Sequence, residues 1–129
     1  MLLVDDDGTT NFINHRLIKK LNIADEIQSA VNGDKAMQFI TQFAFQHQNH
    51  SPELILLDLN MPGADGFDFL KAFMEIPFAN RDQVKLIILT TSSHKRDLDI
   101  VREEKLGYIN KPLTDQKLMD VLASCGPLL

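Results

Sequence analysis

The sequence predicts a single α/β domain in which a doubly wound parallel sheet is covered by helices on both faces. Three observations support this fold class. Short apolar segments alternate with longer stretches of helical period along the whole chain. The third and fourth apolar segments are continuous, as in strands that are buried on both faces. A chain of 129 residues also buries roughly two-thirds of its unfolded surface, which suffices for one core. We therefore expect one domain, residues 1–129, with right-handed crossovers.

The individual elements follow from these two patterns, the short apolar segments and the longer stretches of helical period. Five segments are predicted to be strands because they are short, mostly apolar and followed by Asp, Asn, Thr or Lys. They comprise residues 2–4, 26–30, 54–57, 86–89 and 108–109. Apolar side chains recur at helical spacing in the stretches between and after them. The predicted helices comprise residues 10–21, 34–48, 65–73, 97–105 and 114–123.

Polar residues at the predicted helix starts are suited to cap the free backbone N–H groups. Thr9 or Thr10 precedes the first helix, Asn32 the second and Thr114 the last. The first helix is expected to bury one apolar stripe against the sheet. That stripe comprises Ile13, Leu17, Ile18 and Leu21. The connection 76–82 is expected to be only a surface loop.

The composition excludes several classes of protein. With 44% apolar and 24% charged residues, the chain is an ordinary globular protein rather than a disordered one. Its net charge is −5 and its basic residues occur in pairs, so nucleic acid is not an expected partner. The apolar runs are too short to span a membrane, and no secretory leader is evident. Because Cys125 is the single cysteine, we expect no internal disulfide and a cytoplasmic location.

Chemically reactive residues collect where the predicted strands end. In doubly wound sheets, functional groups lie at the carboxyl ends of the strands. The residues at these ends are Asp5, Asp6 and Asp7 after the first strand, Asp58 after the third, Thr90 and Thr91 after the fourth, and Lys111 and Pro112 after the fifth. We therefore expect these side chains to converge on one edge of the sheet.

Such a cluster of carboxylates requires a compensating cation. Two like charges at ~4 Å repel by roughly 4 kcal/mol at an effective dielectric of 20, so one group must protonate or a cation must enter. Mg²⁺ prefers a few carboxylates together with waters and phosphate oxygens. Lys111 supplies a positive charge and Thr90 a hydroxyl donor at the same edge. This combination is suited to phosphoryl transfer, where catalysis is mostly positioning and charge stabilisation.

Four motifs together resemble the receiver domain of bacterial two-component response regulators. They are Leu3-Val4-Asp5-Asp6-Asp7, Leu56-Leu57-Asp58-Leu59-Asn60-Met61-Pro62-Gly63 with Gly66, Leu89-Thr90-Thr91-Ser92 and Tyr108-Ile109-Asn110-Lys111-Pro112-Leu113. The resemblance covers nearly the whole chain. It implies a flavodoxin-like (βα)5 three-layer sandwich. The strand order that it implies, 2-1-3-4-5, is the known order of chemotaxis receivers. The connection before Tyr108 is shorter than is usual in the family.

The resemblance also implies roles for individual residues. Asp58 is the expected phosphoacceptor and also a metal ligand. Asp6 is expected to ligate Mg²⁺ directly, Asp5 mostly through water, and Asn60 through its backbone carbonyl. Apart from the resemblance, Gly63 and Gly66 are expected simply to serve the turn into the third helix, because glycine adopts turn conformations readily.

Further implied roles concern the phosphoryl group. Lys111, Thr90 and Thr91 are expected to bind its oxygens, and Thr90 and Tyr108 to form the switch that reports phosphorylation. The peptide bond between Lys111 and Pro112 is expected to be cis.

The partners implied by the resemblance are those of a phosphorelay. The expected donor is a sensor histidine kinase or a histidine phosphotransfer protein, and the expected reader is a downstream protein target. Such a domain promotes only its own phosphorylation and dephosphorylation, so it is not a classical enzyme. The resemblance is also compatible with a second copy of the chain as a partner. Such a weak homodimer would form through the face of the fourth helix, fifth strand and fifth helix.

Two other functions remain open at the level of sequence. The run from Asp5 to Thr9 also matches the nucleophile motif of haloacid-dehalogenase-like phosphatases. In that alternative, Asp5 is the nucleophile and Asp7 the general acid and base, but no further acidic pair follows Lys111 at a strand end. The second alternative is a pseudo-receiver, an interaction module that no longer accepts phosphate.

Overall fold

A five-stranded parallel sheet forms the centre of the molecule. The structure, a computed structural model, describes residues 1–59, 61, 65–90, 99, 102 and 106–124. The strands lie in the order β2-β1-β3-β4-β5. Their bounds are β1 Leu2–Val4, β2 Gln28–Ala30, β3 Leu54–Asp58, β4 Lys85–Thr90 and β5 Gly107–Asn110. The predicted fold class and strand order are therefore confirmed.

Four α-helices are present in the described part of the chain. Their bounds are α1 Gly8–Leu21, α2 Gly33–Gln46, α3 Asp65–Met74 and α4 Asp115–Ser124. All of these helices and the strands begin and end within two residues of the predicted positions. The predicted helix 97–105 lies outside the described residues, apart from Asp99 and Arg102.

The sheet separates two apolar layers. On one face, α2 and α3 pack against the sheet around Ile40, Leu57 and Phe73. On the other face, a second cluster contains Ile18 of α1, Leu56 of β3 and Leu118 of α4. Leu56 and Leu57 are neighbours in β3 and are both buried, on opposite faces. This double burial explains why the central strands are continuously apolar.

The first helix begins earlier than predicted because Asp7 caps it in place of Thr9 or Thr10. Oδ1 of Asp7 accepts hydrogen bonds from the backbone N–H of Thr9 at 2.9 Å and of Thr10 at 3.4 Å. Oδ2 accepts a third bond from the Thr10 hydroxyl at 3.0 Å. The Thr10 hydroxyl, followed by the two backbone N–H groups, lowers the pKa of Asp7. A carboxylate also interacts favourably with the positive end of the helix dipole, which a threonine hydroxyl does not.

The buried face of α1 also differs from the prediction. Ile13, which was expected to face the core, is 58% exposed, whereas Asn11 and Asn14 are buried together with Ile18. The amide Nδ2 of Asn11 donates to the backbone carbonyl of Asp5 at 2.9 Å. The predicted stripe is therefore wrong at Ile13, where Asn11 and Asn14 face the sheet instead, whereas Ile18 and Leu21 of the stripe do pack in the core.

The connection 76–82 is more than the surface loop that was predicted. Phe78 and Asn80 are buried, and a short 3-10 helix, Arg81–Gln83, leads into β4. The Asn80 side chain accepts from the backbone N–H of Ser51 and donates to its carbonyl, both at 2.8 Å. These two bonds attach the loop to the segment before β3.

Two other predicted caps are confirmed. Asn32 Oδ1 accepts from the backbone N–H of Lys35 at 2.7 Å, and Thr114 Oγ1 accepts from that of Lys117 at 3.2 Å. In the ranges that the structure describes, each helix is too short or too polar to cross a lipid bilayer.

Candidate functional site

Three carboxylates meet at the carboxyl edge of the sheet. The register pairs Val4 of β1 with Leu57 of β3, so Asp5, which follows β1, lies level with Asp58, the last residue of β3. One oxygen from each of Asp5, Asp6 and Asp58 lies within 4.8 Å of the others. Asp5 and Asp58 are buried, whereas Asp6 is exposed. The structure therefore brings these three predicted site residues together, with one of them open to solvent.

Lys111 bridges the two buried carboxylates from the end of β5. Its Nζ lies 2.7 Å from Oδ2 of Asp5 and 3.1 Å from Oδ2 of Asp58. Its backbone N–H donates to the carbonyl of Thr90 at 2.9 Å, which holds this segment against the end of β4. Burial acts to lower the pKa of Lys111, but hydrogen bonds and attraction from Asp5 and Asp58 outweigh it and raise that pKa. The ammonium therefore stays charged at neutral pH.

The combined charge of the three carboxylates and Lys111 is suited to binding a divalent cation. With all four side chains ionised, the three carboxylates and the Lys111 ammonium together carry a charge of −2. Carboxylate oxygens are the ligands that Mg²⁺ prefers, and its remaining positions are usually filled by water and phosphate oxygens. The donor set and the charge are thus compatible with a Mg²⁺ site, and the exposed side of Asp6 leaves access from solvent.

Both carboxylate oxygens of Asp5 accept hydrogen bonds. Its Oδ1 accepts from the backbone N–H of Asp7 at 2.9 Å, and its Oδ2 accepts from Lys111. Its own backbone is bonded to Ala30 and Asn11. Because both carboxylate oxygens of Asp5 are engaged, Asp6 is the more accessible ligand for a cation.

Gly66 brings α3 into contact with the end of β3. A Cβ atom at this position would lie 2.8 Å from the carbonyl oxygen of Asp58 and 3.1 Å from Cα of Leu59. Real Cβ atoms essentially never approach this closely, so only glycine fits. Gly66 was expected simply to serve a turn, so this close approach was not predicted. A glycine in the first turn of an amphipathic helix that follows an acidic strand end is the feature that could have revealed it.

Asn11 is the second site residue that the sequence analysis missed. It is buried and holds the carbonyl of Asp5, as described above. An asparagine within a predicted helix does not indicate a hydrogen bond to a neighbouring strand, since a polar residue in a helix is normally predicted to face solvent.

The two predicted switch residues lie on adjacent strands. Thr90 is fully buried at the end of β4, where the register pairs it with Asn110 of β5. Tyr108 precedes Asn110 by two residues, is half-buried, and donates its hydroxyl to Oδ1 of Asn110 at 2.8 Å. Thr90 and Tyr108 therefore share one face of the sheet at diagonal positions.

The segment after β5 is fixed by backbone contacts. The peptide bond between Lys111 and Pro112 is cis, which agrees with the expectation from sequence. Nζ of Lys117 donates to the carbonyls of Asn110 at 3.0 Å and Pro112 at 3.2 Å. Of the remaining predicted site residues, Asn60 and Thr91 lie outside the described part of the chain.

The fold and the site define a class of protein. A five-stranded sheet of order 2-1-3-4-5 with an acidic cluster and a lysine at its carboxyl edge is the architecture of receiver domains. The family model of the response regulator receiver domain matches residues 1–123. The chain therefore belongs to the response regulator receiver family, whose members are signalling domains of phosphorelays rather than classical enzymes.

Individual relatives agree with this assignment. The response regulator Rcp1 of Synechocystis sp. is 32% identical over 117 residues, which cover 91% of this chain and 76% of Rcp1. An uncharacterized response regulatory protein of Vibrio cholerae, VC_A0850, is 29% identical, and the match covers 96% of this chain but 42% of that protein. A two-component response regulator from Cytophaga hutchinsonii superposes with a TM-score of 0.80 at 27% identity, covering 95% of this chain and 92% of that one.

Proposed function

We propose that this protein is a Mg²⁺-dependent receiver that accepts a phosphoryl group on Asp58. The observation that carries this proposal is the convergence of Asp5, Asp6, Asp58 and Lys111 at one edge of the sheet. A carboxylate oxygen of Asp58 forms the new bond to phosphorus while the bond from phosphorus to a histidine nitrogen of the donor breaks. The product is an aspartyl phosphate, and the donor histidine is released.

Each residue has a distinct task in this transfer. Asp58 is the nucleophile, and Lys111 neutralises negative charge on the transferring group because its raised pKa keeps it protonated. Asp6 would be the main ligand of Mg²⁺, with Asp58 and the Asn60 carbonyl beside it and Asp5 acting mostly through water. The bound ion would supply positive charge to the phosphoryl oxygens. Thr90 and Thr91 would donate hydrogen bonds to the same oxygens.

The phosphodonor would approach along α1. Phe12 and Ile13 are 62% and 58% exposed on that helix, next to the site. A cavity of about 350 Å³ lies between Ile13 and the cis-bonded Pro112 and reaches Lys111. A surface with exposed apolar residues that extends to Lys111, which itself contacts Asp58, suits a sensor histidine kinase or a histidine phosphotransfer protein. We propose one of these as the donor, which places the protein in the cytoplasm.

The output of the domain would be a change at the face formed by β5 and its neighbours. Thr90 would move toward the phosphoryl group, and Tyr108 would follow by giving up its bond to Asn110. A downstream protein target would read this change. We treat residues 1–129 as one receiver unit in this proposal.

The phosphatase alternative is less well supported by the geometry. It requires Asp7 to act as a general acid, but the Asp7 carboxylate caps α1 through three hydrogen bonds and its pKa is lowered. It also requires Asp5 as a free nucleophile, whereas both oxygens of Asp5 accept hydrogen bonds. Asp58 has no task in that mechanism.

The experiment that tests the proposal locates the phosphoryl group. The protein is incubated with Mg²⁺ and a small phosphodonor, and the modified residue is identified by mass spectrometry of peptides. We expect modification at Asp58. Modification at Asp5 would establish the phosphatase mechanism instead, and no modification at all would identify a pseudo-receiver.

Replacing Asp6 with asparagine is expected to weaken Mg²⁺ binding about tenfold, because one charge of the cluster is lost at a partly solvated position. Asp6 is exposed, so the free energy of unfolding without Mg²⁺ should change little. Isothermal titration calorimetry measures the affinity. Asp25→Asn is the matched control, since it removes the same charge from an exposed residue before β2, at the opposite edge of the sheet. Equal affinity of Asp6→Asn and Asp25→Asn would contradict the assignment of Asp6.

A further inference from the structure

The outer face of α2 is an unusual surface for a charged protein. Phe45, near the carboxyl end of this helix, is 91% exposed. Residues 37–52 contain no Asp, Glu, Lys or Arg, although 24% of the whole chain is charged. An exposed aromatic side chain in an uncharged surface is typical of a protein interface.

Two grooves flank Phe45. The first has a volume of about 500 Å³ and is lined mainly by apolar side chains from α2 and the loop after α3, namely Ile40, Ala44, Ile76 and Phe78. The second, of about 680 Å³, runs along α2 past Met37 and Gln42 and has a charged residue, Asp34, at one end, so the 500 Å³ groove is the uncharged one of the two. Grooves of this size accommodate more than one side chain. A projecting ring and an apolar recess therefore lie side by side on the same surface.

We propose that this face of α2 binds a second copy of the chain in a twofold-symmetric dimer. A twofold axis requires one patch to be complementary to itself, so that a residue and its contact exchange places between the copies. Phe45 and the neighbouring 500 Å³ groove meet this requirement, because each copy offers both the ring and the recess. The Phe45 ring of each copy enters the groove of the other.

The charge of the molecule favours the same partner. Two copies each carry a net charge of −5 and repel one another. An uncharged patch is the surface on which they can approach at the smallest electrostatic cost. A partner of opposite charge would instead be attracted to the acidic surfaces elsewhere on the chain. The neutral character of residues 37–52 therefore fits self-association.

The position of the patch makes the dimer independent of the phosphorylation site. In the crossover from β2 to β3, α2 runs antiparallel to the strands, so Phe45 lies toward their amino ends. The acidic cluster lies at their carboxyl ends. A helix of 14 residues is about 21 Å long and about 10 Å wide, so its outer face offers roughly 200 Å², less than the roughly 800 Å² per partner of a standard interface. We therefore expect a weak dimer that forms at high protein concentration and leaves the site open.

Sedimentation velocity of the full chain tests this proposal, over a range of about 5 to 500 µM. A monomer–dimer equilibrium is expected, and Phe45→Glu should raise its dissociation constant about 30-fold, the loss typical of a central aromatic contact. Since Phe45 is exposed, the variant should remain folded, as circular dichroism would verify. Met119→Glu is the matched control, because it places the same charge at a 48% exposed apolar residue of α4.

Every outcome bears on the proposal. A monomer throughout the concentration range would overturn it and leave the α2 face to a different protein. A dimer that survives Phe45→Glu, or one that Met119→Glu removes, would place the interface elsewhere and would overturn it equally. Loss of the dimer in Phe45→Glu and its retention in Met119→Glu would support it. Phosphorylation of Asp58 is measured separately, so failure of one proposal does not affect the other.

Discussion

The variant Asp58→Asn is expected to lose the phosphoryl adduct, with a rate of formation at least about 10³-fold below that of the parent protein. The amide has no lone pair of comparable nucleophilicity, although it keeps the shape of the carboxylate. Its oxygen can still accept the bond from Lys111, which lies 3.1 Å away in the parent protein. Intact-mass spectrometry after incubation with Mg²⁺ and a small phosphodonor measures the loss.

The control for this experiment must separate chemistry from folding. Asp58→Asn removes one charge from a repelling cluster, so it should not reduce the free energy of unfolding, which urea titration measures. Asp68→Asn makes the same substitution at an exposed residue of α3 and should leave phosphorylation unchanged. Phosphorylation of Asp58→Asn at the parent rate would refute the assignment of Asp58 as the phosphoacceptor.

The variant Gly66→Ala is expected to destabilise the fold by about 1–3 kcal/mol, the usual cost of inserting a methyl group into a closely packed site. The new Cβ would lie 2.8 Å from the carbonyl oxygen of Asp58. Both this oxygen and Cα of Leu59 belong to the backbone, so no side-chain rotation can relieve the contact. The first turn of α3 or the end of β3 must move, and phosphorylation of Asp58 should slow as well.

Gly8→Ala provides the matched comparison for Gly66→Ala. Both glycines lie in the first turn of a helix that follows an acidic strand end. A Cβ at Gly8 would meet no heavy atom within 4 Å. This second variant should therefore be neutral or stabilised by up to about 1 kcal/mol, because alanine restricts the unfolded chain. Thermal unfolding of both variants, followed by circular dichroism, measures the difference. Equal stabilities would show that the close approach of α3 has no energetic consequence.

Much of the sheet could be predicted because its strands are buried on both faces. The continuous apolar runs around Leu56 and Ile87 favour strands that are covered on both faces, and both residues are buried. The order of the strands came from the resemblance to a family and not from periodicity. Apolar spacing correctly predicted the burial of Ile18 in α1, but it does not reveal the burial of Asn11, whose amide Nδ2 donates to the backbone of Asp5 while its Oδ1 has no partner among the described residues.

The site could be located from sequence for a related reason. In a parallel sheet, the carboxyl ends of all strands lie at the same edge, and this does not depend on the conformation of the loops. Asp5, Asp58 and Lys111 were therefore all expected at that edge. The roles of Gly66 and Asn11 were not predicted, because each depends on how closely a helix approaches the end of a strand. Neither the 2.8 Å approach to Asp58 nor the bond to Asp5 leaves a pattern along the chain.

The order of the strands also affects how the protein is made. Asp5 is bonded to Lys111, which lies 106 positions later. The amino-terminal part of the chain is synthesised first, so β1 and β3 are complete well before the lysine is added. Until then, the pairing of β1 with β3 holds two buried acids together without that ammonium. We therefore expect the middle of the nascent sheet to become fully stable only after translation has passed the last strand.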